Sequence, residues 1–457
     1  MKETNHSAPD RVCPLAPIGE TGRYINGLAF KPSDWHDEGL PIIRIQNLTD
    51  PLKPFNRTTK AVDPTYIVEP GDLLVSWSAT LDAFIWRGSK AILNQHIFKV
   101  VPNEKRVTRS YLYYALKRAI AEMTRTEHLH GSTMKHINRG PFMAHRVPLP
   151  ALDIQERIVA EIEKQFSRLD EAVANLKRVK VNLKRYQAAV LKAAVEGRLV
   201  ETEAELARRE GRSYETGEQP LHRILETRRS QWQGKGKYKE PAAPDTTNLP
   251  ELPEGWVWAS AEQVSEFITK GTTPAATKLS DGAGEVQFLK VYNLRFDGLL
   301  NHFYKPAFVS RRTHEGELAR SKVQAGDVLI NIVGPPLGQV SVVPASLAEA
   351  NINQAIARFR PIHPLGSEFL SLALLTEHVM RWAIRRAKTT AGQSNLTLEL
   401  CRALPIPLPP PDEQTRIVAE VDRRLSLLRE TGAQVDANLR RAGRLRQSVL
   451  GKAFTSP

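Results

Sequence analysis

Two stretches decide the fold: PLPALDIQERIVAEIEKQFSRLDEA, starting at Pro148, and PLPPPDEQTRIVAEVDRRLSLLRET, starting at Pro407. They lie 259 residues apart, and the offset holds without a gap through Gln155/Gln414, Arg157/Arg416 and Glu161/Glu420 to Val190/Val449. An internal repeat of that length outranks any short motif, because it sets the architecture. Each copy reads as one long helix. The prolines stop whatever precedes, Asp153 or Asp412 can cap the first turn, and no further proline interrupts the run. Apolar residues recur every seven positions at Ile162, Leu169, Leu176, Leu183 and Val190, with Ala172, Val179, Tyr186 and Ala193 between them. The second copy keeps the phase at Val421, Leu428, Val435, Ala442 and Val449, supplemented by Leu425, Leu439 and Leu445. A sustained heptad stripe predicts coiled-coil packing, and matched phase and length make the two helices each other's expected partners. At 1.5 Å per residue, a helix of about 45 residues spans roughly 65 Å.

The segments ahead of the helices also match, more loosely. GLPIIRIQNL (Gly39 to Leu48), EPGDLLVSW (Glu69 to Trp77) and ILNQHIFKV (Ile92 to Val100) correspond to GEVQFLKVYNL (Gly284 to Leu294), QAGDVLINI (Gln324 to Ile332) and NINQAIARF (Asn351 to Phe359). Short apolar runs rich in Ile, Val and Phe, bounded by Gly, Asn and Asp, predict sheets. Helical stretches follow at Ser110 to Met123 and Glu368 to Ala387. The fold class expected is therefore α+β: two mixed α/β domains and two long helices forming an antiparallel coiled coil, a pseudo-twofold internal repeat. Antiparallel pairing is preferred because it places a domain at each end. Five segments result: a first domain over 1–147, the first helix over 148–199, a connector over 200–249, a second domain over 250–406 and the second helix over 407–457. The connector is densely charged, includes QGKGKYKEPAAP, and reads as partly helical, then flexible.

With 64 Lys and Arg against 50 Asp and Glu, the formal charge is +14 and the isoelectric point about 9.7, which favours a polyanionic partner. The N-terminus lacks an apolar secretion signal and no segment offers the roughly 18 apolar residues needed to cross a bilayer, so a cytoplasmic location and no membrane partner are expected. Cys13 and Cys401, the only cysteines, read as reduced packing residues. Catalytic signatures are missing. There is no Gly-x-x-x-x-Gly-Lys-Ser/Thr phosphate loop and no Gly-x-Gly-x-x-Gly loop after a strand. The adenine-methylating Asn/Asp-Pro-Pro-aromatic tetrapeptide is approached only by Gly334-Pro335-Pro336-Leu337. Glu127, His128, His130 and His136 are the one metal-like cluster, and nothing elsewhere completes a site, so no metal is expected.

This order of elements resembles the specificity subunit of type I restriction-modification systems. The residues that carry the resemblance are Pro-Leu-Pro before each helix, LPEGW at Leu252 to Trp256, the paired PGDLL and AGDVL, the two Asn-Gln dipeptides, and the Gly-Ser/Gln stretches Gly131 to Asn138 and Gly392 to Asn395. LPEGW has no counterpart before the first domain, which leaves that domain's initial strand open. The resemblance implies two target-recognition domains reading the halves of an interrupted, asymmetric site in double-stranded DNA, with no catalysis and no cofactor in this chain. It implies two methyltransferase subunits and two motor-nuclease restriction subunits as partners, which would use S-adenosylmethionine, ATP and Mg. Two other readings compete: a self-contained DNA methyltransferase or nuclease, which the missing signatures oppose, and a coiled-coil scaffold, which leaves the duplicated domains unexplained.

The repeat also sorts residues. If the halves read different sequences, identical positions should be structural or phosphate-contacting, and base readers should differ. Asn47/Asn293, Asp72/Asp327 and Gln95/Gln354 are accordingly expected in turns or the core. DNA-contact candidates lie in the divergent polar stretches: Ser132, Thr133, Lys135, His136, Asn138 and Arg139 in the first half, Lys388, Gln393, Ser394 and Asn395 in the second. Strand-end residues Arg44, Gln46, Ser78, Lys290, Tyr292 and Arg295 follow. Gln155, Arg157, Gln414 and Arg416, unchanged between helix starts, are candidates for capping and for docking two copies of one partner.

Overall fold

The computed structural model describes residues 13–50, 52–125, 136–233, 236–334, 336–390 and 393–454, with the side chains of 388–390 and 393 outside the description. Contacts divide the chain into two units, Met1–Arg178 with Val435–Pro457, and Val179–Gln434.

The first unit holds two four-stranded sheets. In one, Gly22–Asn26, Ile97–Pro102, Leu73–Ser76 and Asp82–Ile85 lie side by side in that order, all antiparallel. In the other the order is Arg57–Thr58, Leu40–Ile43, Ala91–Leu93, Ile67–Val68, with a parallel pair at its centre. The second unit repeats both plans. Ser265–Lys270, Ile356–Pro361, Val328–Asn331 and Val340–Val342 form the antiparallel sheet. Ala307–Val309, Val286–Leu289, Ala350–Ile352 and Lys322–Val323 form the mixed one, extended by Ser280–Asp281. The central strands are continuous apolar runs because both faces are covered: Leu73, Leu74 and Val75, and Val328, Leu329 and Ile330, are fully buried.

Each central strand enters through the same turn. In Glu69-Pro70-Gly71-Asp72, Gly71 takes a φ of +92°, Asp72 N–H donates to Glu69 O at 3.1 Å, and the Asp72 carboxylate accepts from Glu69 N–H at 2.8 Å. Gln324 to Asp327 repeats it around Gly326, φ +84°. A third-position φ in the left-handed region is why both copies carry glycine there.

The helical segments follow with one difference. Arg109–Met123 is a single helix capped by Thr108, whereas the run expected over 368–387 breaks at Thr376 into Ser367–Leu375 and Glu377–Arg386. The Thr376 hydroxyl donates to Ala373 O at 2.7 Å while its ψ of 141° leaves the helical region. The connector carries helices Glu203–Glu210 and Glu218–Ser230.

The long helices are Leu152–Val195 and Pro411–Ala453. In the first unit, Ile162 and Phe166 share a core with Leu450, Ala453 and Phe454. Arg446 lies over the Phe166 ring at 4.8 Å and pairs with Asp170. In the second unit, Val190, Leu191, Ala194 and Val195 share a core with Ile417, Val421 and Leu425. The sevenfold set at Ile162, Leu169, Leu176, Leu183 and Val190 is covered to varying degree, but the residues between are displaced by one from expectation. Ala172, Val179 and Tyr186 are exposed, and the covered positions are Phe166, Val173, Gln187 and Ala194. Residues three and four places on flank the sevenfold stripe equally, so the side chains packed against the helix decide which of the two is covered. Leu445 is likewise exposed, with Arg446 at the stripe position.

The open question of the first domain's initial strand is answered by Leu15–Pro17, which pairs antiparallel with Arg146–Pro148, as Val257–Ser260 pairs with Pro405–Leu408. LPEGW has a reason to occur once. The Trp256 indole N–H donates at 3.0 Å to the buried Glu413 carboxylate, which also accepts from Glu203 N–H at 2.8 Å. The first helix has Ile154 at the position of Glu413, which offers an indole nothing to bond.

The shared aspartates carry unequal loads. The Asp327 side chain is fully buried and bonds Arg360 at 2.7 and 2.9 Å, with Arg358 at 3.8 Å. Asp72 meets a single lysine, Lys99, at 2.7 Å and keeps partial exposure. Asp327→Ala leaves two largely buried guanidiniums uncompensated and should cost about 3–5 kcal/mol. Asp72→Ala should cost about 1 kcal/mol. Denaturant titration of the two variants checks the difference.

Candidate nucleic-acid interface

One rim in each domain gathers most of the described candidates, and its backbone is laced the same way twice. In the first domain the strand Leu40–Ile43 ends at Arg44, and its Ile43 carbonyl accepts from Asn94 N–H at 3.3 Å. Trp77, after the central strand, donates to His96 O at 3.2 Å and accepts from Ile137 N–H at 3.0 Å. Ser78 then bridges His136. In the second domain Leu289 O accepts from Asn353 N–H at 3.1 Å, Ile332 N–H donates to Ala355 O at 2.8 Å, and Leu396 N–H donates to Ile332 O at 2.9 Å. Val333 pairs with Asn395 in the position of the Ser78–His136 bridge. A hairpin, Lys388–Thr390 against Gln393–Asn395, completes the second rim.

Asn47 and Asn293 lock the turn after the edge-of-rim strand. Each is buried; each accepts through Oδ1 from the backbone N–H three residues back, Arg44 at 3.1 Å and Lys290 at 2.9 Å. Their amides donate to Lys53 O and Pro54 O, or to Asn301 O and Tyr304 O. The turns therefore present the side chains of 44–46 and 290–292 in fixed directions. Gln46 is exposed, and Arg44 lies over the Trp35 ring at 5.7 Å and bonds Asn56. Lys290 sits 5.9 Å from the Tyr292 ring, whose hydroxyl donates to Lys305 O at 3.0 Å.

The other candidates fall out unevenly. Ser78 is buried, with its carbonyl bonded by the Ser76 hydroxyl, so its side chain is a packing group and not an exposed reader. Asn138 and Arg139 are exposed, with Arg139 over the Phe98 ring at 5.8 Å, and His136 is half-buried. Arg295 is exposed but its guanidinium is held by Asp297 at 2.5 and 3.0 Å. Ser394 and Asn395 are half-buried in the hairpin; Lys388 and Gln393 belong to it, their side chains outside the description. Ser132, Thr133 and Lys135 lie outside the described residues, as do Glu127, His128 and His130. Among the described residues no group of three metal-ligating side chains occurs. Sequence reasoning passed over exposed aromatics near the second rim, Phe296, Phe303 and Tyr304. Their signal was available: aromatic rings at both ends of the stretch FDGLLNHFYKP, among turn-forming and polar residues.

The shared glutamines divide sharply. Gln155 is fully buried: Oε1 accepts from Thr108 N–H at 2.9 Å, and Nε2 donates to Arg106 O and Pro150 O at 2.9 and 2.8 Å. Gln414 does the same less tightly, with Gly366 N–H at 3.4 Å and Pro409 O at 3.1 Å. Both fasten a domain to its helix, which corrects their assignment as docking groups, since neither side chain reaches the surface. Gln95 and Gln354 are the opposite case. Both lie in turns, one of the two places expected for them, but with their side chains exposed and not packed inside the fold. At the helix starts Arg157 is exposed and, among the described residues, pairs locally with Asp153 at 3.2 Å. Arg416 is taken up by the buried Glu203 of the connector at 2.7 Å. The two arginines flanking Glu203, Arg212 and Arg416, hold its carboxyl below the usual range against the upward push of burial.

A family model described as the type I restriction modification DNA specificity domain matches residues 15–183 and again 253–431. The chain belongs to that family. A type I restriction enzyme specificity subunit of Escherichia coli, EcoBI, is 27% identical over 439 residues, covering 94% of this chain and 82% of the relative. The EcoKI specificity subunit of Escherichia coli strain K12 is 21% identical over 467 residues, covering 96% and 88%. Among solved structures, the HsdS subunit from Thermoanaerobacter tengcongensis aligns with a TM-score of 0.50 at 17% identity over 99% of both chains. A chain from a study of type I restriction-modification assembly and conformational transition aligns with a TM-score of 0.66 at 16% identity, covering 96% and 97%. This specificity subunit is thus a non-catalytic member of a type I system, and each of its two matched regions carries one of the rims.

Gln155→Ala should leave a buried N–H and two carbonyls unpaired, at about 1–3 kcal/mol for each group not rescued by water. A lowered midpoint of denaturant unfolding is the expected readout.

Proposed function

We propose that the two rims read the two halves of an asymmetric, interrupted site in double-stranded DNA. The observation that carries this reading is the identical backbone lacing of the rims combined with different side chains on it: Arg44 and Gln46 against Lys290 and Tyr292, His136 against Asn395. A conserved scaffold with exchanged side chains is what two modules need to present different hydrogen-bond patterns to base edges. The long helices run antiparallel as a coiled coil in a pseudo-twofold repeat and set the length of the unread gap. This draws support from the core that the start of the first helix shares with the end of the second, and from the converse pairing in the other unit. The basic balance, +14, suits sequence-independent attraction to phosphate.

The rest of the assembly is part of the same proposal. Two adenine methyltransferase subunits dock on this chain and two motor-nuclease subunits join through them. S-adenosylmethionine, ATP and Mg serve those partners in the cytoplasm. Among the described residues, no helix is long and apolar enough to cross a membrane. Docking at the first helix start uses Arg157, whose counterpart Arg416 is already satisfied by the chain's own connector. The two methyltransferases therefore meet unlike surfaces.

Methylome sequencing of cells with and without the gene should show a two-part adenine-methylated motif that disappears with the gene. Inserting seven residues in register into both helices should lengthen the gap while both half-sites persist; an unchanged gap sinks the ruler. Arg157→Glu should lower the number of methyltransferase copies bound per chain, measured by native mass spectrometry, with folding unchanged by circular dichroism.

A further inference from the structure

Outside the long helices, identity between the two domains combined with exposure in both points to one pair of polar side chains. Among the shared polar residues discussed above, Asn47/Asn293, Gln155/Gln414 and Asp72/Asp327 each spend their polar atoms on named partners inside the fold. Gln95 and Gln354 do not. Their side chains are exposed and bond no other described residue, so no structural duty visible among the described residues accounts for the same amide at the same place in both halves.

Their backbones, by contrast, are clamped. Gln95 sits in the turn between Ala91–Leu93 and Ile97–Pro102, and its N–H donates to Leu28 O at 2.7 Å. The residue before it bonds Ile43 O and the residue after it accepts from Trp77 N–H. That following residue, His96, holds a φ of +71° with its ring 4.8 Å from the Trp77 ring. Gln354 occupies the equivalent turn: Asn353 bonds Leu289 O, Ala355 accepts from Ile332 N–H, and Gln354 N–H donates to the Thr273 hydroxyl at 3.4 Å. The clamps are the same strand ends that present Arg44 and Lys290 on one flank and the Ser78–His136 or Val333–Asn395 pairing on the other. A flexible side chain on so fixed a base, in the middle of the reading rim, loses less entropy on binding than one on a free loop.

We propose that Gln95 and Gln354 are positioning residues that each donate a hydrogen bond to a phosphodiester oxygen at the equivalent place in the two half-sites. This rests on the reading of the rims as DNA interfaces. A group kept unchanged in two modules that read different bases contacts what every duplex offers, and a neutral amide donor matches a phosphate oxygen without adding charge. The contact sets the register of each module on the duplex while its divergent neighbours read sequence.

The test uses the full chain assembled with its methyltransferase partners, with Gln95→Ala, Gln354→Ala and the double variant, titrated against the duplex motif found by methylome sequencing. Each single variant should weaken binding about 3–10-fold, the double variant by about the product, with the methylated motif, the dependence of affinity on salt concentration and the unfolding midpoint unchanged. Unchanged affinity in both variants overturns the proposal. So does a relaxed base preference confined to one half-site, which makes the glutamine a base reader, and so does a lowered unfolding midpoint, which makes it structural. Failure of the unaltered complex to select any duplex refutes the rim reading itself, and is told apart by being seen without substitution.

Discussion

The three hydrogen bonds of the Gln155 side chain hold the rest in place. A single buried amide joins the loop before a domain's helix, through Arg106 O and Thr108 N–H, to the last proline before the long helix, through Pro150 O. A buried amide left unpaired is expensive, so the helix start and the domain cannot pivot independently without breaking all three. Gln414 ties Gly366 to Pro409 in the same way. The strand pairings Leu15–Pro17 with Arg146–Pro148 and Val257–Ser260 with Pro405–Leu408 add a second tether at each junction. Where the rims point relative to their own helices follows from these few bonds.

Most of the architecture was legible because it rests on local signals. Prolines followed by an unbroken heptad run mark a helix, and apolar runs between glycine turns mark strands, whatever the tertiary setting. The failures share a cause. Ala172, Val179 and Tyr186 fit a seven-residue period as well as Phe166 and Val173 do, and only the packing partner chooses between neighbouring phases. The break at Thr376 is invisible in the run Glu368 to Ala387, because threonine is an ordinary helix residue until its hydroxyl finds the Ala373 carbonyl.

The site was less legible, and again for a physical reason. Sequence ranks a polar residue by its type, while its role depends on whether its polar atoms are already spent. Ser78, Gln155 and Gln414 were all plausible surface groups and are buried; Gln95 and Gln354 were expected in a turn or the core and sit in turns with their side chains exposed. The internal repeat separates identical from divergent positions, but only coordinates separate identity kept for folding from identity kept for contact.

One asymmetry reaches further. Glu413, pushed up by its burial, accepts from Trp256 and from Glu203 of the connector, while the first helix has Ile154 in its place and an exposed Arg157 nearby. A molecule made of two like halves gives an approaching partner no way to tell one end from the other. Here an exchange of glutamate for isoleucine stamps a polarity on the duplicated chain, so the starts of its two long helices can be told apart by whatever meets them.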